Sequence, residues 1–330
     1  MTHLLEVRGL TAAVNRNGKF LKVLDDINFS VYEGEIMALL GESGCGKSLT
    51  ALSIAGLLPT AVKILSGEII YSNQNLVTLN EKRLNRIRGS EITMIFQETR
   101  QSLNPLLKAG RQITESLELS VINKEQIKNR KEQKTRNKEL ALEMLETLGF
   151  EQAQKIFDSY PHQLSGGMCQ RVMTAIAAIT KPRLLLADEP SSSADDESRE
   201  KILSLLLDMN RKFKTSVLVI SHDLSVIGRY CSRFIIMYAG KIVEEGPLEM
   251  QELRSPLHPY TKALINAIPG KDKRGKPLEN ISGKIPSIED RFSGCPFAPR
   301  CPKAQNVCKE TFPPVRSIDN RKVFCYFPEL

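Results

Sequence analysis

At 330 residues, with 41% hydrophobic and 25% charged side chains, the chain has the composition of a folded globular protein, which excludes global disorder. Lys and Arg number 46 against 38 Asp and Glu, and the resulting net charge of +8 favours anionic partners: nucleotide phosphates, nucleic acid or an acidic lipid surface. The opening residues MTHLLEVRGLTAAV carry no basic stretch followed by an apolar core, and the apolar runs fall far short of the roughly 18 residues that span a bilayer, so neither a secretory signal nor a membrane span is expected.

The first 95 residues or so alternate β-like runs with turn signals. Glu35 to Leu40 (EIMALL) reads as a buried strand and runs directly into Gly41-Glu42-Ser43-Gly44-Cys45-Gly46-Lys47-Ser48, after which Ser48 to Leu58, Leu49 included, reads as a helix. A strand, a Gly-rich loop of the form G-x4-G-K-[ST] and a helix make a phosphate cradle. The glycines let backbone N–H groups converge on phosphate oxygens, and the helix points its positive end at the same anion. In this pattern Lys47 neutralises the β- and γ-phosphates and Ser48 offers its hydroxyl to Mg²⁺.

Gln97 closes a strand-like run (ITMIFQ), and from residue 98 to about 164 helical, charge-rich patterns replace the strands. Asn123 to Glu139 is almost wholly polar and reads as an exposed helix face or a solvated segment. It lacks the interleaved aromatics with which a nucleic-acid-binding arm stacks bases. Leu164-Ser165-Gly166-Gly167-Met168-Cys169-Gln170 then opens a helical run; a serine and glycines at a helix start form a second anion site.

Strands resume with Leu184-Leu185-Leu186-Ala187-Asp188, Val217 to Ser221 and Phe234 to Gly240, short continuous apolar runs of the kind found in a parallel sheet covered on both faces. The first delivers Asp188 to the carboxyl edge of the sheet, where it can hold Mg²⁺, and Glu189 follows at a position from which a carboxylate can orient or deprotonate an attacking water. His222 ends the next strand. Lys241 to Gly246 alternates like a terminal strand, and from about Pro269 Pro, Gly and charge rise, which predicts a loop-rich tail in need of a staple. Of seven cysteines, Cys295, Cys301, Cys308 and Cys325 fall in this tail with the spacing C-x5-C-x6-C-x16-C. Clustered thiols in a reducing compartment point to metal or catalysis before disulfides. Zinc suits four thiolates, although the usual C-x2-C pairs are absent.

Taken in order, these motifs resemble those of ABC-type ATPases, with the Leu164–Gln170 segment as their signature. The resemblance sharpens to the ATPase subunits of bacterial oligopeptide/dipeptide (and nickel) importers through Ser102-Leu103-Asn104-Pro105, Tyr160-Pro161-His162-Gln163-Leu164, Pro256-Leu257-His258-Pro259-Tyr260-Thr261 and Gly294-Cys295-Pro296-Phe297-Ala298-Pro299-Arg300-Cys301-Pro302. It implies an α/β, P-loop NTPase core with a parallel or mixed sheet, over residues 1–268, with a helical subdomain inserted at about 98–180 and a loop-rich extension over 269–330. It implies ATP and Mg²⁺ as cofactors, with Gln97 sensing Mg²⁺ and water, His222 contacting the γ-phosphate, and Ser165, Gly166 and Gly167 serving the ATP of a second ATPase subunit. It also implies two transmembrane permease subunits, an extracellular or periplasmic substrate-binding protein, no nucleic acid, and a peripheral position on the cytoplasmic face of the inner membrane. The four tail cysteines resemble the ligands of a [4Fe–4S] cluster, with Zn²⁺ as the alternative. Peptides are the cargo the resemblance favours, ahead of nickel or metal chelates. A nucleic-acid-acting ABC ATPase would need either a long coiled-coil or zinc-hook insertion or a second phosphate loop, and the sequence has neither.

The chain departs from the family pattern in places. Val14 stands where an aromatic residue usually stacks on adenine, with Phe20 nearby as a substitute. Ser192-Ser193-Ala194-Asp195 replaces the leucine of the usual S/T-A-L-D with alanine, and Cys169 stands where arginine is common.

Overall fold

The computed structural model describes residues 2–120, 130–190, 196–221, 228, 230–248, 255–267, 281–290 and 293–329. The chain divides into two compact units, one of Leu5–Val31, Ile36–Val77 and Ile220–Leu330, the other of Met1–Leu4, Tyr32–Glu35 and Thr78–Val219.

The first unit holds two sheets. In one, β1 (His3–Arg16), β2 (Lys19–Tyr32), β4 (Val62–Tyr71) and β5 (Gln74–Asn75) lie in the order β2-β1-β4-β5, and β1 pairs antiparallel with β4. In the other, β3 (Ile36–Leu40) pairs in parallel with β9 (Arg233–Tyr238), Met37 opposite Arg233 and Leu40 opposite Ile236. All five residues of β3 are buried, as its unbroken apolar sequence requires of a strand with both faces covered. From β9 the chain reverses through Ala239 and Gly240, both at positive φ, into the antiparallel strand β10 (Lys241–Pro247). Positive φ at both turn residues gives the tight reversal whose twist matches its strands.

Although loop-rich, the C-terminal tail is bound into this sheet. Its strands β11 (Arg316–Ile318) and β12 (Arg321–Val323) form a hairpin, and β12 pairs with β10, setting Glu245 opposite Lys322. Lys322 and Glu245 form an ion pair at 2.5 Å, and Leu257, Val323 and Cys325 close an apolar cluster beneath the hairpin. The tail thus has an anchor the sequence does not announce: three-residue strands spelled RSI and RKV carry no readable alternation.

The second unit contains a parallel pair, β6 (Ile92–Ile95) and β7 (Leu184–Asp188), with Ile92 opposite Leu184, and β8 (Ser216–Ser221) beside β7. Between β6 and β7 come α3 (Thr99–Ser102), α4 (Ala109–Leu119), α5 (Arg130–Thr147), α6 (Ala153–Asp158) and α7 (Gly166–Ala178); α8 (Asp196–Phe213) leads to β8. The polar run from Asn123 enters α5 at Arg130, and residues 121–129 lie outside the described part. Ahead of these helices, α2 (Glu81–Ile87) is capped by Asn80, whose side chain accepts from the Arg83 N–H. In the first unit, α1 (Lys47–Ala55) follows β3 directly, and α9 (Pro259–Asn266) and α10 (Asn306–Glu310) belong to its C-terminal part.

Candidate nucleotide site

The phosphate loop lies wholly in the first unit, between β3 and α1. Two of its glycines are obligatory. Gly41 (φ 148°) leaves no room for a side chain, since a Cβ there would sit 2.3 Å from the Met237 carbonyl oxygen and 2.7 Å from the Cys45 sulfur. Gly46 (φ 111°) would press a Cβ to within 2.8 Å of Leu24. Gly46 also caps α1 without any side-chain hydrogen bond, which leaves the first-turn N–H groups to a ligand. Lys47 is nearly buried, and its ammonium donates to the carbonyls of Gly41 (2.8 Å) and Glu42 (3.0 Å). The cation is therefore held inside the concavity of the loop before any phosphate arrives. Ser43 and Gly44 are exposed at the rim, Ser48 and Leu49 are half-buried, and the fully buried Cys45 has its thiol pKa pushed up by that burial.

Glu42 has partners no motif predicts. Its backbone N–H donates to the Tyr260 hydroxyl at 2.8 Å, and its carboxylate takes a forked contact from Arg300 at 2.8 and 3.2 Å. Tyr260 packs against Tyr238 and Phe297, ring centroids 4.6 and 5.3 Å away. Burial raises the pKa of both tyrosine hydroxyls, so both stay protonated. The segments that supply these residues stand out in the sequence only as family-like strings; nothing local in them betrays a partner more than 200 positions away.

Val14 is half-buried on β1 opposite Val62. Phe20, 47% exposed at the start of β2, lines a concavity with Lys19, Lys22, Asp25 and Lys241. Lys22 and Lys241 both bind the Asp25 carboxylate, at 2.8 and 2.7 Å.

The second unit carries the other candidate residues. Asp188, the last residue of β7, is 3% exposed, and Glu189 follows at φ 47°, a left-handed conformation that costs a non-glycine residue about 1 kcal/mol. Its carbonyl accepts from the Gln170 side-chain Nε2 at 3.2 Å. Ser165 caps α7, its Oγ accepting from the Met168 N–H at 3.3 Å. Ser165 is exposed, Gly166 and Gly167 are half-buried, and a Cβ on Gly166 would meet nothing within 4 Å. Cys169, by contrast, is fully buried against the Pro161 carbonyl. Gln97 is exposed just beyond β6. Within this unit the end of β7 and the start of α7 are thus tied together, and Gln97 stands at the end of the strand that neighbours β7. His222 and Ser192 to Asp195 lie outside the described residues.

Cys295, Cys301, Cys308 and Cys325 all line one cavity of about 20 Å³ together with His258. Burial pushes the Cys295 thiol up to about 12 and raises Cys301 and Cys325, with the neighbouring thiols adding to the effect. The four cysteines that the sequence gathers in the tail therefore face one small space. The space suits a single water, and among the described residues no group of three or more His, Cys, Asp or Glu side chains is placed to hold a metal ion. Neither the four-iron cluster that the resemblance implies nor its zinc alternative has a ready-made ligand group among the described residues, while four thiols lining one space are donors of the kind either would take.

A P-loop, an acidic strand end and a capped Ser-Gly-Gly helix start on α/β units define a nucleoside triphosphatase of the P-loop class. Residues 24–192 match the ABC transporter family model, and residues 243–308 match the oligopeptide/dipeptide transporter C-terminal region. The chain belongs to the ABC transporter family, as one of its ATPases. It is 41% identical, over 100% of its length and 98% of the relative, to the oligopeptide transport ATP-binding protein AppD of Bacillus subtilis. It is 37% identical to the dipeptide transport ATP-binding protein DppD of Haemophilus influenzae, over 98% of this chain and 96% of that one. Among solved structures it is similar to the ATP-binding cassette MJ0796 in a dimeric post-hydrolysis state bound to ADP and Pi, with 29% identity and a TM-score of 0.66 over 74% of this chain and 99% of that one.

Proposed function

We propose that this chain hydrolyses ATP to drive uptake of oligopeptides or dipeptides, working as a peripheral subunit on the cytoplasmic face of the inner membrane. Its partners in this reading are a second, related ATPase subunit, two permease subunits and an external substrate-binding protein. The observation that carries the ATPase pairing is the open start of α7. Ser165 is exposed, and Gly166 is not required by the chain's own packing, since a side chain there has empty space. The reason for glycine then lies in what approaches from outside, and a helix start that offers free N–H groups suits the γ-phosphate of a neighbour's nucleotide. Peptide cargo is supported by the names of the relatives and by the matched C-terminal region.

In this mechanism Lys47 and the backbone of Gly41 to Leu49 bind the triphosphate, and Ser48, Asp188 and Gln97 would hold Mg²⁺, which when bound neutralises charge on the β- and γ-phosphates. A hydroxyl at the start of a phosphate-binding helix and a nearly buried carboxylate at a strand end are donors suited to that hard cation. Glu189 orients the attacking water and takes its proton, with its side chain directed by the left-handed turn that Gln170 pins. His222 contacts the γ-phosphate. Phe20 stacks on the base in place of Val14. ATP is then the bond between two ATPase subunits and its hydrolysis releases them, a switch that works because ATP binds the closed state better than the open one. Lys47→Ala tests the core of this reading: turnover in the assembled transporter should vanish, and undiminished ATPase activity would refute it. Uptake of labelled dipeptide in cells lacking the chain tests the cargo; intact peptide uptake with loss of nickel uptake would reassign it.

For the tail the reading is a soft-metal centre held by Cys295, Cys301, Cys308 and Cys325, iron–sulfur or zinc. It is supported by four thiols lining one cavity beside His258, whose buried Nε2 has no hydrogen-bond partner.

A further inference from the structure

Arg300 is an unusual residue for a tail that carries no catalytic motif. Its side chain is 4% exposed, and all five of its N–H donors are spent. Nη1 donates to Glu42 Oε2 at 2.8 Å and to the Tyr238 hydroxyl at 3.1 Å. Nη2 donates to Glu42 Oε1 at 3.2 Å and to the Ile281 carbonyl at 2.9 Å, and Nε donates to the Ser282 carbonyl at 2.9 Å. Three of these bonds fix the guanidinium to the unit's own framework, and the remaining two form a fork on a single carboxylate, the side chain of the second residue of the phosphate loop. Burial acts to lower the pKa of Arg300, but the hydrogen bonds to Glu42 and Tyr238, helped by the opposite charge, raise it overall.

Geometry makes the direction of action plain. Arg300 sits on the one-turn helix Ala298–Arg300, packed through Phe297 against Tyr238 and Tyr260. Tyr260 in turn accepts the Glu42 N–H. Both the side chain and the backbone of Glu42 are therefore held from the C-terminal part of the chain. Glu42 is the looser partner, with its side chain 27% exposed, and its carbonyl also receives the Lys47 ammonium.

We infer that Arg300 is a positioning residue for the nucleotide site: the C-terminal extension fixes Glu42, and through it the loop that binds the triphosphate. The inference rests on the ATPase reading above. Pre-ordering a loop that must otherwise be ordered by its ligand shows in affinity, so the ATP KM carries the effect and kcat changes far less. Lysine cannot replace arginine here, because a point charge cannot form the fork while also reaching two carbonyls and a phenol.

The test uses the full chain in its assembled transporter, with Lys47→Ala as the reference. Arg300→Met should raise the ATP KM by about tenfold or more while kcat falls much less, and Arg300→Lys should recover only part of the loss. Glu42→Ala should reproduce the Arg300→Met effect, and the double variant should be no worse than either single one, because both remove the same link. If Arg300→Met does not fold, Glu42→Ala decides alone. A wild-type KM in Glu42→Ala, or additive effects in the double variant, overturns the proposal. A Lys47→Ala protein that turns over normally overturns the ATPase reading itself, so the two failures are distinguishable.

Discussion

Gln170 reaches across from α7 and donates its Nε2–H to the backbone carbonyl of Glu189 at 3.2 Å. This single bond ties the helix that Ser165 caps to the end of the strand that delivers Asp188. It also props the one non-glycine residue of that strand end with a positive φ. Gln170 is fully buried, so its replacement by leucine leaves the Glu189 carbonyl without that donor at a cost of about 1–3 kcal/mol. The expected outcome is a lowered melting temperature together with a fall in kcat larger than the change in KM; unchanged kcat would show that the link is only structural.

Glu189 itself separates stability from activity. Glycine adopts φ 47° without strain but gains freedom when unfolded, so Glu189→Gly should leave the stability of the isolated chain within about 1 kcal/mol of wild type while abolishing turnover. Glu189→Gln keeps the backbone strain and the side-chain volume, and should accumulate as an ATP-bound pair of ATPase subunits on size-exclusion chromatography. Normal turnover in Glu189→Gln would place the catalytic carboxylate elsewhere.

The glycines make an opposed pair of predictions. Gly41→Ala drives a Cβ into the Met237 carbonyl at a left-handed φ, and should unfold the loop or the chain. Gly166→Ala meets open space at the start of a helix and should leave stability unchanged or raise it by up to about 1 kcal/mol through added helix propensity, read as an unchanged or higher melting temperature. ATPase activity of the Gly166→Ala transporter should nevertheless fall at least about tenfold, because the methyl group obstructs a partner-bound phosphate. Full activity would remove the case for a ligand at this helix start.

Metal analysis settles the tail. Anaerobically purified protein should contain iron and sulfide, or zinc, at one site per chain, and Cys301→Ser, the least buried of the four thiols, should lose it. A metal-free wild-type chain of normal melting temperature would establish the four thiols as packing residues.

How much of this was readable from the chain depends on distance along it. The P-loop, the acidic end of β7 and the Ser-Gly-Gly start of α7 are strings of eight residues or fewer whose chemistry is local, and strand or helix context follows from the apolar runs beside them. β10 forms where its run places it, but not as the alternating terminal strand the sequence suggests: five consecutive residues are buried, because the tail hairpin covers its edge. The Arg300–Glu42 fork spans 258 positions and joins two residues that each look like ordinary surface charge. The pairing of β12 with β10 is hidden for the same reason: RKV has no pattern until Glu245 supplies a partner for Lys322. The cysteines fall between these cases, since spacing gathers them in the sequence while the size of the cavity depends on how the surrounding rings pack.

The fastening of the C-terminal strand and of Arg300 changes what counts as a minimal motor. A fragment trimmed at residue 268 keeps every nucleotide motif yet strips β10 of β12, leaving an open sheet edge prone to sticking to other chains. The same cut removes the counter-ion of Glu42. Kinetics measured on such a fragment would describe a different machine, and fusions or tags at this terminus belong after residue 329, beyond the last contact that Glu329 makes with Lys262.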